Sequence, residues 1–417
     1  MLYVLFALSL STLPAPVRLS DLLEEARQKN PDVRAARAQA RADAATVSSA
    51  GALDDPMLMV QLWNMPVDLS TIPLMVNITQ AIPLGGKRAA RRDEATAMAD
   101  ASRFNAETRA RDVEADVAKA YFDLFLADRT TKVDDEIGNT LRSLVAAASS
   151  RLGAGRGDES EVLRAESEAL KVQSDREAAS ARRTAAVAKL VALLDRPPGS
   201  DLGATSEPGL LPILSSQEAL RARALRERPE VAMAKEATVA AEARLRLARS
   251  ETIPDLGVSA GEMHMFGGTA RPADFLFLGV QGNLPIFGGK NRARSEAAQA
   301  SVESMREANR AIENRIFAEI ANAMGEVQAE DRQTQLHHQL VPLSRQALAS
   351  ALAAYSAGRG GFTMVLDAER DLQMHELDLA MHVAAYAQHL TDLERAVGGD
   401  IGLLRAAESG AHLSHEE

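Results

Sequence analysis

The fold is decided by Pro83-Leu84-Gly85-Gly86-Lys87, which returns later in the chain as Pro285-Ile286-Phe287-Gly288-Gly289-Lys290 with one residue inserted. Apolar and polar residues alternate before each copy, as they do in a β-strand. A long, charged, alanine-rich run typical of a helix begins after each copy. Paired glycines permit a sharp backbone turn, and a lysine is typical of a point where a chain leaves an apolar layer for water. The motif therefore predicts two junctions at which a strand turns into a long helix: Gly85, Gly86 and Lys87, and Gly288, Gly289 and Lys290.

The rest of the chain is duplicated around these junctions. Pro31 recurs 198 residues later as Pro229, and Lys87 recurs 203 residues later as Lys290. The larger offset then holds for the blocks that begin at Asp128, Ala154, Val162 and Ala165. A constant offset across so many blocks predicts a duplicated unit of roughly two hundred residues.

The repeat divides the chain into segments. We place the first structural repeat at 19–195 and the second at 214–397, joined by a linker at 196–213 that is rich in Pro, Gly and Ser and is expected to be exposed. The first residues are apolar and uncharged, so 1–18 resembles a secretory signal peptide, whole or truncated; an ordinary buried segment is the alternative. After the last helix, 398–417 is expected to be a mobile C-terminal tail.

Composition excludes several classes of protein. Aromatic residues make up only 4% of the chain, which is typical of long helices packed through small side chains rather than of an enzyme with a thick core. The net charge of −11 argues against nucleic-acid binding, because phosphate contacts need clustered Lys and Arg. The absence of cysteine excludes disulfides, thiolate metal sites and a cysteine nucleophile. No catalytic motif or P-loop spacing stands out, so we predict a protein that is not an enzyme and needs no cofactor.

Four segments have the two-residue period of strands: about 56–65, 72–82, 254–266 and 275–286. They are 10 to 13 residues long, which is enough for a tilted strand that crosses a bilayer, for which about 9–11 residues are needed. Four strands leave unpaired edges, so in lipid they must close into a barrel, and the smallest barrels have about eight strands. Three chains that supply twelve strands meet this requirement.

The expected fold class is therefore mainly α with a small antiparallel β part. It is a duplicated helix-strand-strand-helix-helix unit whose trimer forms an α-helical barrel and a twelve-stranded transmembrane β-barrel. Two soluble β-hairpins at the end of a coiled coil are the alternative. We take pairing of the four strands within one molecule as the observation that excludes closure by sister copies.

Two glycine-rich turns interrupt the long helical runs and predict the tips of two helical hairpins. Tight turns between helices favour glycine, and this preference alone explains much of the glycine content of the two turns. Exposed small residues and an arginine also suit the docking of a partner's helical hairpin. The residues are Ala154, Gly155, Arg156 and Gly157 in the first tip, and Ala357, Gly358, Arg359 and Gly360 in the second.

From Leu19 to about Val397 the chain resembles the TolC-type outer-membrane efflux proteins. The resemblance lies in the duplicated layout, the Gly-Gly-Lys junctions and tips of the pattern Gly-x-x-[Ser/Thr]-x-Val-Leu-x-Ala-Glu. It implies a homotrimer whose barrel lies in the outer membrane and continues into a periplasmic helical barrel. It also implies that the periplasmic tips form an iris, which docks a periplasmic adaptor coupled to an inner-membrane pump.

The resemblance also suggests residues of a gate. Tyr355 and Glu161 match an interprotomer hydrogen bond that helps to hold the iris shut, and Ser160 matches a hydroxylated position. Asp367 matches a pore-facing acid at the constriction.

The gate pattern is incomplete. Met364 replaces a second pore-facing acid, and Gly360 replaces a gating arginine, with Arg359 displaced by one position.

Histidines and methionines are the candidate metal ligands. His375, His382 and His389 are seven residues apart and share one face of the last helix, where they could line the duct and contact transition-metal ions. At about 10 Å between successive residues they cannot share one ion, and a partly solvated helix edge is the plainer interpretation. Met263 and Met265 flank a histidine near a strand end. The strand start at Asp55-Pro56-Met57 resembles metal-efflux branches of the family.

The first functional hypothesis is an outer-membrane exit duct of a tripartite efflux pump or a type I secretion system, passive in itself. The alternatives are a periplasmic coiled-coil adaptor and a soluble helical scaffold. An adaptor normally has one helical hairpin, whereas this chain predicts two, so the repeat favours the duct.

Overall fold

The computed structural model describes residues 17–62, 73–209, 213, 215–265 and 273–399. The predicted signal peptide up to residue 16 and the predicted tail from residue 400 lie outside the described residues. The same order of helices and strands occurs twice. The first set is α1 (Leu19–Lys29), α2 (Pro31–Ala50), β1 (Met57–Leu62), β2 (Pro73–Ile82), α3 (Lys87–Gly153) and α4 (Glu159–Leu193). The second set is α5 (Gln217–Glu227), α6 (Pro229–Ser250), β3 (Leu256–Met265), β4 (Ala273–Gly282), α7 (Gly288–Ser356) and α8 (Phe362–Val397).

A proline at the first helical position separates the two short helices of each set. Asn30 ends α1, and its side-chain oxygen accepts from the backbone N–H of Asp32 at 2.9 Å and of Val33 at 3.3 Å, which caps α2. Pro31 and Pro229 both lack the N–H that a first helical residue leaves unbonded, so a new helix begins there without loss.

The strands form one antiparallel sheet in the order β1-β2-β3-β4. The β2–β3 pairing, from Pro73 opposite Met265 to Ile82 opposite Leu256, joins the two repeats. Our criterion that pairing within one molecule excludes closure was wrong. Neighbouring antiparallel strands pair inside a chain whether or not a ring forms, and in the described sheet β1 and β4 still have one neighbour each.

Strand β4 is displaced from its predicted bounds of 275–286. It begins at Ala273 and ends at Gly282, because Asn283 turns its side chain to the backbone N–H of Asp255 and Pro285 has no N–H to donate. Three apolar side chains of β4 share one face and are exposed: Leu276, Leu278 and Val280.

The chain forms two compact units. The first comprises Met1–Arg34, Arg109–Arg228 and Arg315–Glu417, and the second comprises Ala35–Thr108 and Pro229–Asn314. A core cluster of the first unit contains Ile137, Leu141, Leu348 and Leu366, among other residues. A cluster of the second unit is built largely from smaller groups: Ala241, Leu245, Ala298 and Val302.

The predicted linker at 196–213 is not wholly exposed. Leu202 is buried in the core of the first unit, and Thr205 bridges Val17. The Asp128 carboxylate accepts from both the backbone N–H and the hydroxyl of Thr205. An apolar side chain and two satisfied polar groups therefore hold this stretch against the helices.

Among the described helices, none combines the length and the apolar character needed to cross a membrane.

Candidate functional site

The two predicted tips form the same turn. Gly155 and Gly358 have φ values of 68° and 71°, which glycine adopts without strain. In the second tip the N–H of Gly358 donates to Tyr355 O at 3.0 Å, and the N–H of Arg359 donates to Ala354 O at 2.9 Å. These bonds use the last carbonyls of α7, as in a Schellman motif.

Gly360 is required for a different reason. A Cβ there would lie 3.0 Å from the Ala354 Cβ and 3.1 Å from the Tyr355 nitrogen. The turn alone thus accounts for the glycines of the tips. The exposed tip residues left to contact a partner are Ala154, Arg156, Ala357 and Arg359.

We expect Gly360→Ala to destabilise the protein by about 1–3 kcal/mol, because the added methyl group meets backbone that cannot move independently. Gly325→Ala is the matched control, since a Cβ at this helical position meets nothing within 4 Å. The control should stabilise by up to about 1 kcal/mol, because alanine favours helix. Thermal unfolding of both variants checks this; equal midpoints would contradict it.

A hydrogen bond joins the two hairpins near their tips. The Tyr355 hydroxyl donates to Glu161 Oε2 at 2.9 Å, and Arg151 Nη1 donates to Tyr355 O at 2.9 Å. The Arg151 guanidinium also lies 4.6 Å from the centre of the tyrosine ring. Burial, with the Glu161 contact, raises the pKa of Tyr355 to about 12, so the hydroxyl keeps its proton.

The expectation that this bond joins two protomers was wrong. Tyr355 at the end of α7 and Glu161 at the start of α4 meet within one chain. The pair therefore ties hairpin to hairpin inside a protomer.

The other gate candidates do not join this contact. Ser160 is exposed and its N–H donates to Asp158 Oδ1, which caps α4. Asp367 is 73% exposed and lies 4.0 Å from Arg370. Met364 is half-exposed beside Gly360. That Ser160 and Asp367 act in a gate stays a prediction.

A second link between the hairpins was missed by sequence reasoning. Arg370 of α8 donates to both carboxylate oxygens of Glu168 in α4, at 3.1 and 2.7 Å. These hydrogen bonds hold the pKa of Glu168 below its usual value. Glu168 is buried, and such a forked pair is the strong form of ion pair.

Glu369 lies next to this link but takes no part in it. It is 1% exposed, and neither carboxylate oxygen accepts a hydrogen bond in the described part of the chain. Burial, with a smaller contribution from the charge of Glu168, raises the pKa of Glu369 to about 7.

The two strand-to-helix junctions have the same Gly-Gly-Lys sequence but differ in structure. Lys87, expected to reach water, is 4% exposed; its Nζ lies 2.6 Å from Asp255 Oδ1 and donates to Ile253 O at 2.7 Å. The prediction was wrong because Asp255, far away in sequence, provides a charge partner inside the second unit. Lys290 is exposed as predicted.

The backbone conformation of the glycines also differs between the two junctions. Gly85 and Gly86 have φ values of 71° and 77°. Gly288 and Gly289 instead form the first residues of α7. The second junction instead turns before its glycines, where the N–H of Ile286 donates to Leu284 O at 2.8 Å and the N–H of Gly288 donates to Ile286 O at 3.1 Å.

The row of histidines on α8 faces α7. His382 Nδ1 lies 2.7 Å from Glu330 Oε2, and His389 Nδ1 lies 2.8 Å from Glu326 Oε2. His375 instead contacts His337, a residue that sequence reasoning missed because it lies on another helix.

The strand candidates are separate from this row. On β3, Met263 is partly buried and Met265 is exposed, while His264 between them pairs with Asp274 of β4.

The sequence matches the family model described as outer membrane efflux protein over residues 22–196 and 220–399. The pyoverdine export outer membrane protein OpmQ of Pseudomonas putida is 31% identical over 178 residues, which are 42% of this chain and 38% of the relative. The matched segment thus spans under two-fifths of that relative's length. The cobalt-zinc-cadmium resistance protein CzcC of Cupriavidus metallidurans is 25% identical and aligns over 92% of this chain and 90% of its own.

Solved structures share the fold. The outer-membrane channel OprN superposes with a TM-score of 0.78 at 20% identity, covering 92% of this chain and 90% of the other. CusC superposes with a TM-score of 0.80 at 20% identity, covering 93% and 94%.

Proposed function

Since the chain belongs to the outer membrane efflux protein family, we propose that it is a passive exit duct through which a tripartite efflux pump, or a type I secretion system, expels its substrate. Three chains form a homotrimer whose twelve strands close a barrel in the lipid of the outer membrane and whose helices form a periplasmic cylinder. A periplasmic adaptor docks at the hairpin tips and connects the duct to an inner-membrane pump, which supplies the energy.

The open sheet is the observation that carries this proposal. Strands β1 and β4 each have one free edge in the described sheet, and apolar side chains such as Leu276 are 87% exposed. Unpaired backbone groups cost several kcal/mol each in lipid, so these edges need partner strands. Sister copies provide them, because β4 of one chain can pair with β1 of the next.

Disulfide crosslinking tests this assembly, because the native chain has no cysteine. Pro83 aligns with Pro285 and Pro56 with Pro254 in the repeat, so the pairing of Ile78 with Ala260 places Leu62 of one copy opposite Val280 of the next, or opposite a residue two positions away, because the β1–β2 and β3–β4 registers differ by two residues when aligned in this way. We expect Leu62→Cys combined with Leu278→Cys, Val280→Cys or Gly282→Cys to give covalent trimers in the outer-membrane fraction, with one of the three combinations predominating.

The matched control is Ile78→Cys/Ala260→Cys, whose two positions face each other within one chain. It should form a disulfide without an increase in mass. A soluble monomer, or crosslinks confined to one chain in every variant, would exclude the duct.

The cargo class that we propose is divalent transition-metal ions. The support is the alignment of CzcC, whose name states cobalt, zinc and cadmium resistance, over most of both chains. Deleting the gene should lower the concentration of Zn²⁺, Co²⁺ or Cd²⁺ at which the host stops growing. Unchanged metal tolerance together with increased sensitivity to organic toxins would assign the duct to another cargo.

We propose that the contact between Tyr355 and Glu161 helps to keep the tips closed. A hydrogen bond to a charged group contributes about 1.5–3 kcal/mol, and a trimer repeats it in each protomer. We therefore expect Tyr355→Phe combined with Glu161→Ala to raise single-channel conductance in planar bilayers. Ser356→Ala, which removes an exposed hydroxyl one residue away, should leave conductance unchanged. Equal conductance of the double variant and the native protein would rule out this role.

A further inference from the structure

Three histidines of α8, namely His375, His382 and His389, contact α7 along the line where the two helices pack. Two of them lie against a glutamate of α7: His389 against Glu326, and His382 against Glu330. The third is different. His375 lies against His337, with 5.6 Å between ring centres.

The third contact gathers groups that bind metal ions. One ligand atom each from His337, His375 and Asp378 lies within 4.8 Å of the others. His375 and Asp378 are three residues apart, so they project from the same face of α8. His337 comes from α7 and closes the group from the opposite side.

Two ring nitrogens of this cluster are left unsatisfied by the part of the protein that the structure describes. Nδ1 of His337 and Nδ1 of His375 are both buried and have no hydrogen-bond partner among the described residues. The hydroxyl of Thr334, one turn before His337, is also buried without a partner in the described part of α7 and its surroundings. Leaving a buried polar group unpaired destabilises the folded state, so two facing imidazoles are a poor choice for packing alone.

The surroundings of the cluster suit a cation. His337 is 8% exposed, so bulk water does not readily take the place of a protein partner at its Nδ1. Within the described residues no ion pair or hydrogen bond takes up the carboxylate of Asp378. A divalent ion satisfies both ring nitrogens and this carboxylate together.

We propose that His337, His375 and Asp378 form a binding site for a divalent transition-metal ion such as Zn²⁺ or Co²⁺. Two imidazoles and one carboxylate favour such ions over Mg²⁺ and Ca²⁺, which require oxygen ligands. Three protein ligands leave a coordination position open to water, so the ion can exchange.

His382 extends the site. Its ring centre lies 5.1 Å from that of His337, and Glu330 fixes its Nδ1. A carboxylate that holds a histidine in this way is the usual support of a metal ligand. The proposal does not depend on the cargo, because binding is a property of the purified protein.

Titration of the full-length trimer in detergent tests the site. The protein is purified with a tag that lacks histidine, stripped with a chelator and titrated with Co²⁺, whose visible absorption reports nitrogen and oxygen ligands. Calorimetry with Zn²⁺ gives the stoichiometry. We expect one ion per chain and no displacement by Mg²⁺.

His337→Gln and His375→Gln should each weaken binding by about 100-fold or more, which exceeds the 10–100-fold loss typical of an outer-shell partner. His338→Gln is the matched control, because His338 is the next residue along α7 and is exposed. Zn²⁺ should raise the unfolding temperature of the native protein and of this control, but not that of the ligand variants.

Asp378→Asn provides a second test if a histidine variant fails to fold, because Asp378 is only partly buried. It should weaken Zn²⁺ binding while the trimer and its helical circular dichroism are retained. Native affinity in this variant, native affinity in a folded His337→Gln protein, or no Co²⁺ spectrum from the native protein would each overturn the proposal.

Discussion

Glu369→Gln is expected to raise the unfolding temperature at pH 8 and to flatten its dependence on pH. Folding raises the pKa of this carboxyl from 4.5 to about 7, so the folded state holds the proton more tightly. The stabilisation from that proton is complete below about pH 4.5 and is lost as the pH rises through about 7. Above pH 7 the folded protein carries a buried, unpaired charge, and the loss amounts to about 3 kcal/mol.

Glutamine has nearly the same shape and no charge, so the variant should behave at pH 8 as the native protein does at low pH. Glu376→Gln is the matched control, because Glu376 is equally buried on α8 but pairs with Arg345. It should destabilise, since a charged partner is lost. Unfolding temperatures measured from pH 5 to pH 8 distinguish the two. A native pH slope in Glu369→Gln would refute the assignment.

Asp255→Ala is expected to destabilise the second unit by about 3–5 kcal/mol, because it leaves the buried ammonium of Lys87 without its charge partner. The backbone N–H of Leu84 loses its acceptor on Asp255 at the same time. Lys87→Met should be milder, since it removes the buried charge and leaves a carboxylate that water can reach.

Lys290→Met is the matched control for this junction. It replaces the same lysine of the repeated Gly-Gly-Lys motif at a position where the side chain is exposed. The free energy of unfolding should therefore change by no more than an ordinary surface substitution changes it, about 0.5 kcal/mol. Limited proteolysis near Gly85, together with thermal unfolding, reports the effect. An equal loss of stability on substitution of Lys87 and of Lys290 would mean that the Gly-Gly-Lys motif, and not the ion pair with Asp255, sets the stability of the junction.

The order of elements could be predicted because it depends on local patterns. Paired prolines mark the starts of α2 and α6, and the change from a two-residue period to a helical run marks the start of α3. The contacts of Lys87 could not be predicted in this way, because Asp255 is brought there by the pairing of β2 with β3.

The candidate site shows the same limit. Tyr355 and Glu161 were predicted as partners, but their location within one chain required the structure. Arg370 and His337 were missed, because the partner that each meets depends on the rotation of two packed helices about their axes. A heptad row of histidines on one helix predicts a seam but does not identify the helix across it.

The two free edges of the sheet have a consequence for the newly made chain. Until sister strands arrive, β1 and β4 can capture any extended peptide, including the same edges of misaligned copies. Correct pairing between sister chains then competes with aggregation. The yield of assembled trimer therefore depends on how fast chains are delivered and on a holdase chaperone that shields both edges during transport.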